Sequence, residues 1–216
     1  MGGDPLSKIA LKQPLLPHDL PVTSFDFTEE HFINTCIIKN CTISNEHINR
    51  LLVEQVIFQN VTFERVSFPN MELTDVRFVN CDLSNADFTE SIIHRVEFID
   101  CKMLGTILAD TMLGNVLFKS CQADLSSYGF STMKNVFFDS CFLEQSDFYE
   151  CSFKEVDFES CHLNEANFAN TSLKGVNLST SRFERLQITL QDLEGCLVTS
   201  EQALGFAKAL GLHITE

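Results

Sequence analysis

From Val53 onward every fifth residue is apolar. The series runs Val53, Phe58, Phe63, Phe68, Leu73, Phe78, Leu83, Phe88, Ile93 and Phe98, and keeps its register through Phe138, Phe158 and Phe168 to Ile188, with Tyr128 as its one polar-tipped member. A period of five fits neither the helical repeat of about 3.6 nor the strand repeat of two. Two residues before each of these stands a second set, small or β-branched: Val56, Val61, Val66, Val76, Cys81, Ala86, Ser91, Val96 and Cys101. The residue between the two is usually polar. Each pentapeptide therefore holds the in-out-in alternation of a short strand and then two polar residues, as in Ser84-Asn85, Thr89-Glu90 and Glu159-Ser160, which read as a corner.

A longer period fixes the number of corners. Val56, Val76, Val96, Val116, Val136, Val156 and Val176 stand twenty residues apart, as do Cys81, Cys101, Cys121, Cys141 and Cys161. Like residues at that spacing mean four pentapeptides per turn, stacked like on like. The pattern predicts an all-β parallel β-helix of about eight quadrilateral coils between residues 36 and 195, about 38 Å long at about 4.8 Å per coil. The first coil is expected to be distorted, because Glu46 falls at an inward position and Ile43 and Ile48 replace Phe.

Both ends of such a stack need covers. Residues 1–30, with Pro5, Pro14, Pro17 and Pro21 and no period, are expected to form an extended N-terminal cap before a β-helix over 31–198. In the segment 199–216, Thr199 and Gln202 form a capping box, Glu201 suits the first helical turn, Lys208 the last, and Gly211 the position after it. A short helix from about Ser200 to Leu210 follows. Its apolar residues Leu204, Phe206, Ala207 and Leu210, with Leu212 beyond, exceed what one coil end needs and predict a homodimer joined there.

Composition narrows the function classes. Thirty Asp and Glu against fifteen Lys and Arg give a formal charge of −15, which repels nucleic acid and anionic membranes and favours a basic partner surface. No stretch is apolar enough to span a membrane and no secretion signal is evident, so a cytoplasmic protein with reduced cysteines is expected. The nine cysteines have spacings set by the repeat, with no C-x-x-C, and the six histidines are scattered outside any catalytic pattern. No catalytic, cofactor or metal site is therefore expected, and no enzyme. Between residues 51 and 190 no acid occupies an inward position, so every Asp and Glu there is expected to point to solvent. One side of the rod, taken from residues 66–70 every twenty on to 186–190, carries Asp87, Glu90, Asp110, Asp147 and Glu150 without Lys or Arg, while the other three mix signs. Those five are the candidate binding residues; solubility alone is the competing explanation.

The pattern in Cys81-Asp82-Leu83-Ser84-Asn85, Ala86-Asp87-Phe88-Thr89-Glu90 and Ala166-Asn167-Phe168-Ala169-Asn170 resembles the pentapeptide-repeat family. With its length, acidity and terminal Thr199-to-His213 segment, the chain resembles the Qnr-type branch, quinolone-resistance proteins of bacteria, and specifically the members without loops that break the repeat. The resemblance implies a right-handed quadrilateral β-helix, a dimer joined at the C-terminal ends, and a surface that mimics duplex DNA and binds DNA gyrase and topoisomerase IV. The alternative is a non-enzymatic acidic scaffold for an unrelated protein partner.

Overall fold

The protein, seen in a computed structural model, is described over residues 10–25, 31–209, 211–213 and 215. Its strands are β1 (Val22–Thr23), β2 (Phe32–Ser44), β3 (Leu52–Glu64), β4 (Glu72–Val79), β5 (Ile92–Ile99), β6 (Met112–Lys119), β7 (Thr132–Asp139) and β8 (Ser152–Glu159), followed by helix α1 (Ser200–Ala209). They form one 8-stranded sheet in the order β1 to β8, every pair parallel. From β2 onward the register is the twenty-residue period itself: Val76 pairs with Val96, Phe78 with Phe98, Val116 with Val136. Strands β4 to β8 cover two sides of the rod, here sides 1 and 2 (residues 71–75 and 76–80, and every twenty on). Sides 3 and 4 (81–85 and 86–90 onward) are held by single bridges such as Asp82 with Lys102 and Asp87 with Ile107.

The corners have a definite conformation. From Thr35 to Gly175 every fifth residue has a positive φ, between 47° and 65° up to Asn170 and 83° at Gly175. For a residue with a Cβ the left-handed region costs about 1–2 kcal/mol. What offsets it is a hydrogen bond to the following coil: the corner amides of Asn45, Asn70, Asn85 and Glu90 donate to the carbonyls of Glu64, Thr89, Leu104 and Ala109 at 2.9–3.0 Å. Asn, Asp and Ser recur there because short polar side chains tolerate this region best.

The interior follows from the two inward positions. Phe58, Phe78, Phe98, Phe118, Phe138 and Phe158 form one column, with ring centroids 4.6–4.9 Å apart and planes within 9° of parallel. Tyr128, Phe148 and Phe168 form a second, and the columns meet edge to face, as between Phe138 and Phe148 at 5.8 Å and 87°. Aromatic pairs gain in both geometries beyond the area they bury. The other inward position takes small residues that can close a hydrogen bond to the coil below. Thr106 Oγ1 donates to Leu83 O at 2.8 Å, Ser131 Oγ to Leu108 O at 2.8 Å, and the Cys101 and Cys121 thiols to Phe78 O and Phe98 O at 3.6 and 3.4 Å. All nine cysteines are free.

Two expectations are corrected. The first coil is regular: Asn45 and Arg50 take the corner conformation and β2 pairs with β3 throughout, while Glu46 is only partly covered. Irregularity appears at the other end, where Thr180, Arg185 and Leu190 lack a positive φ and the Glu165 amide bonds Arg185 O. The reason is directional, since corner amides point toward the next coil and the last coil has none. The residues one coil on are Thr199, which caps α1, and Leu204 within it.

The N-terminal segment, too, is more than a cap. Only its end covers the first coil, through β1 and the partly buried Phe25. Before that it runs along the rod across several coils. Leu15 accepts from Gln55 Nε2 and donates to Asp75 Oδ1, and Lys12 N reaches Asn115 Oδ1. At the far end the capping box is formed, Gln202 N to Thr199 Oγ1 and Thr199 N to Gln202 Oε1. Gln202 Nε2 also takes up the carbonyls of Leu178 and Ser181, satisfying the last coil. Gly211 has φ 80°, while Leu210 lies outside the described residues.

Phe118 is fully buried between Phe98 and Phe138. Phe118→Ala is expected to cost about 3–5 kcal/mol in chemical denaturation; a loss below about 1 kcal/mol would contradict the packing described.

Candidate functional site: an uncompensated acidic side

Side 4 places the five sequence-predicted carboxylates on two parallel columns. Asp87 and Asp147 sit at the outward mid-strand position, in the bridge ladder Ser67, Asp87, Ile107, Ser127, Asp147, Asn167. Glu90, Asp110 and Glu150 occupy left-handed corners with φ 58°, 56° and 54°. The five fall within three coil steps, about 14 Å at about 4.8 Å each, or about one charge per 3 Å. Along one strand of duplex DNA the charges stand about 3.4 Å apart.

The two columns differ in their bonding. Asp87 accepts from Ser67 Oγ at 2.7 Å and from the Thr89 amide at 3.0 Å, and also from the Thr89 hydroxyl. Burial alone would raise its pKa, but these hydrogen bonds outweigh burial and hold the carboxyl below its ordinary value, so it stays ionised. Asp147 accepts from Tyr149 N at 3.0 Å and Asn167 Nδ2 at 2.8 Å. Both are Asx turns that hold their own strand end as well as carrying charge. Glu90, Asp110 and Glu150 are exposed, and beyond their corner amide bonds their carboxylates make no hydrogen bond or ion pair among the described residues.

Elsewhere cations answer the acids. Arg95 grips Asp75 on side 1 at 2.6 and 2.7 Å, Arg77 meets Glu97 and Lys119 meets Asp139 on side 2, and on side 3 Lys102 meets Asp82 and Arg185 meets Glu165. Each of these pairs is twenty residues apart, one coil above the other. No ion pair forms on side 4 among the described residues. Arg50 stands on that side one coil below Asn70, at its N-terminal edge, and the sequence-based column, which began at residue 66, left it out.

The expectation that every acid points to solvent fails at Asp75 and Glu97, which are 3% and 7% exposed. Both are outward-facing; the arginine of the neighbouring coil covers them, and at Asp75 the N-terminal segment adds the Leu15 amide. Burial would raise the Asp75 pKa, but the Arg95 and Leu15 hydrogen bonds and the Arg95 charge bring it below its ordinary 3.8. Asp157 has no such cation, and burial raises its pKa despite the Phe158 amide.

The ladder thiols are sealed in the core, where the hydrogen bond with Cys121 and burial push Cys101 up to about 12, and burial pushes Cys151 up to about 12. No three or more His, Cys, Asp or Glu converge as a metal site among the described residues. Among the described residues no helix is long and apolar enough to cross a membrane. A groove of about 640 Å³ lies between the last coils and α1 and is lined by Phe183, Leu186, Leu204 and Phe206 among others. Of the proposed dimer residues, Leu204 and Leu212 are 46% and 58% exposed, Phe206 packs on Phe183 at 5.7 Å, Ala207 is partly covered, and Leu210 lies outside the described residues. Leu190 and Leu197 add exposed apolar surface at the same end.

Sequence reasoning missed one feature of side 4, the exposed Leu125 and Phe130. The signal was present, since both stand at left-handed corners, which elsewhere among the described residues hold polar residues or Gly.

Residues 71–138 and 131–205 match the family of pentapeptide repeat regions. No curated protein matches the chain. Among solved structures it is similar to HetL, a pentapeptide repeat protein involved in heterocyst differentiation regulation from the cyanobacterium Nostoc sp. strain PCC 7120, with TM-score 0.55 and 13% identity over 77% of this chain and 84% of that one. It also matches a trypsin-treated form of QnrB1, a plasmid-mediated fluoroquinolone resistance protein, with TM-score 0.41 and 12% identity over 83% of this chain and 100% of that one. At these identities the likeness to HetL speaks for the fold alone, and the weaker superposition on QnrB1 carries no argument.

The Asp75–Arg95 pair gives a pH prediction. A carboxyl whose folded pKa lies below its unfolded value contributes stability above the unfolded pKa and loses it as pH falls through the folded one. Asp75→Asn is therefore expected to cost about 2 kcal/mol at pH 7, with the difference from wild type shrinking as pH falls from the ordinary 3.8 through the lower folded pKa, in urea melts run across pH. A difference independent of pH would contradict this.

Proposed function

The chain belongs to the pentapeptide-repeat family, and from that premise we propose that it is a non-enzymatic DNA mimic which occupies the duplex-binding groove of a type II topoisomerase, DNA gyrase or topoisomerase IV. The observation that carries this reading is side 4, where five carboxylates at nearly the phosphate spacing of one DNA strand lack the cations that answer acids on the other sides. A basic saddle shaped for a duplex is attracted to such a column, and salt weakens the attraction as it weakens DNA binding. The choice of topoisomerases among duplex-binding proteins rests on the sequence resemblance to the Qnr-type branch. Such a protein protects the enzyme from quinolones or modulates its activity, and acts in the cytoplasm without binding nucleic acid itself. The second reading, an acidic scaffold for an unrelated protein, draws support from the apolar side chains beside the carboxylates.

Replacing the five carboxylates by Asn or Gln is expected to preserve the fold. At the Asx turns Asn keeps the needed acceptor, as Asn167 shows in the same column by accepting from Ala169 N at 3.1 Å. Gyrase supercoiling assays, with and without a quinolone, should then show the variant acting about tenfold more weakly than wild type at low salt. Neutralising the exposed Glu54, Glu72 and Glu155 on side 1 should change little, since Lys134, Lys154 and Lys174 share that side. Wild-type protein without effect on supercoiling at low salt would remove the topoisomerase reading.

We also propose a homodimer through the C-terminal end, supported by the exposed Leu190, Leu197, Leu204 and Leu212. Sedimentation at micromolar concentration is expected to show a dimer, and Leu204→Glu with Leu212→Glu a monomer. An intact protein that sediments as a monomer contradicts this.

A further inference from the structure

Side 4 is not uniformly acidic. Of the 28 described residues with a Cβ that take a positive φ, all are polar or charged except Leu125 and Phe130. These two bracket side 4 in a single coil, one at each edge, and are 56% and 54% exposed. Bulky apolar side chains are the poorest occupants of this backbone region, and neither is used in the core. Between them the outer surface is low, because Ser127 and Gly129 supply almost no side chain; a Cβ at Gly129 would come within 3.4 Å of Asp147 Oδ2. One coil earlier Leu104 and Ile107 are also exposed, at 39% and 38%. One coil later Tyr149 stands edge-on to Phe130 at 5.4 Å, forming a wall. The result is a shallow apolar notch in the middle of the acidic side. Asp110 borders it on one flank, and Asp147 and Glu150 on the other.

We propose that this notch is the anchor point of side 4 and receives a polypeptide segment in which apolar side chains are flanked by lysines or arginines. The apolar residues would seat between Leu125 and Phe130 while the cations meet the carboxylates on either flank. Charge complementarity selects this occupant: an acidic rim disfavours a second copy of this −15 chain and any anionic lipid or nucleic acid. A partner surface of phosphate-binding cations alone would leave the notch unfilled, so the apolar anchor adds affinity that salt does not screen. The inference deepens the reading of side 4 as a partner-binding surface and rests on it, but does not require that the partner be a topoisomerase.

The test uses the full chain and two synthetic helical probes of equal charge, one of leucine and lysine, the other of glutamine and lysine. The variant is Leu125→Asn with Phe130→Asn, which installs the residue most at home in these corners and so leaves the fold intact, checked by its thermal midpoint. In fluorescence anisotropy at physiological salt, wild type is expected to bind the leucine-lysine probe about tenfold more tightly than the glutamine-lysine probe, and the variant to lose that preference while keeping the same salt dependence. The chain with all five carboxylates neutralised should lose both probes. Equal binding of the two probes by wild type overturns the notch, as does a preference that survives in the variant. A gyrase that ignores the wild-type protein while the leucine preference holds would remove the topoisomerase reading and leave the notch standing.

Discussion

The structure depends on one recurring bond: the amide of a left-handed corner residue donating to the carbonyl of the coil above. Each corner by itself is unfavourable, and each is made tolerable only by a neighbour displaced by twenty residues, so no coil is stable alone and all are stable together. The asymmetry of that bond explains the two ends. Coils toward the N-terminus always have a successor and stay regular, even where the first carries Ile instead of Phe. The last coil has none, gives up its corners, and is finished by the helix, whose capping-box glutamine supplies the donors that a further coil would have supplied.

The same stacking turns sequence positions into fixed columns on the surface. Apart from Glu64, which meets its chain neighbour Arg65, each paired carboxylate among the described residues finds its cation directly above or below, at the coil spacing. On sides 1 to 3 the columns alternate in sign and several acids are partly or wholly neutralised, Asp75 so thoroughly that it is buried. On side 4, from residue 66 onward, the columns carry acids and no cation. The charges there are held in place by a rigid ladder, and Asp87 and Asp147 are held further by their own turns, so their field is ordered before any partner arrives. Preorganised charge costs a partner less to meet than charge that must first be arranged.

Most of the fold was legible in the sequence because the period of five and the period of twenty each report one physical fact, the corner and the coil. The Phe58-to-Phe158 column, the thiol ladder and the capping box of Thr199 with Gln202 lie where those periods place them. What the pattern could not convey was anything set by contacts off the period. The path of residues 10–23 along the rod depends on single bonds from Asn115, Asp75 and Gln55. The burial of Asp75 and Glu97, which sit at outward positions, depends on the arginines stacked over them. In the site, all five carboxylates could be assigned to one side, but not that two are turn anchors and three are free. Leu125 and Phe130 were visible as breaks in the corner rule, yet only exposure distinguishes an unused apolar side chain from a packed one.

Competition for the groove tests the central claim most directly. Labelled duplex DNA bound to gyrase should be displaced by the protein one for one, with the midpoint of displacement moving to higher protein concentration as salt is raised, in parallel for the rod and for an unlabelled duplex. Gyrase that holds labelled duplex and protein together, or releases no duplex at low salt, would contradict the reading of side 4 as a stand-in for DNA.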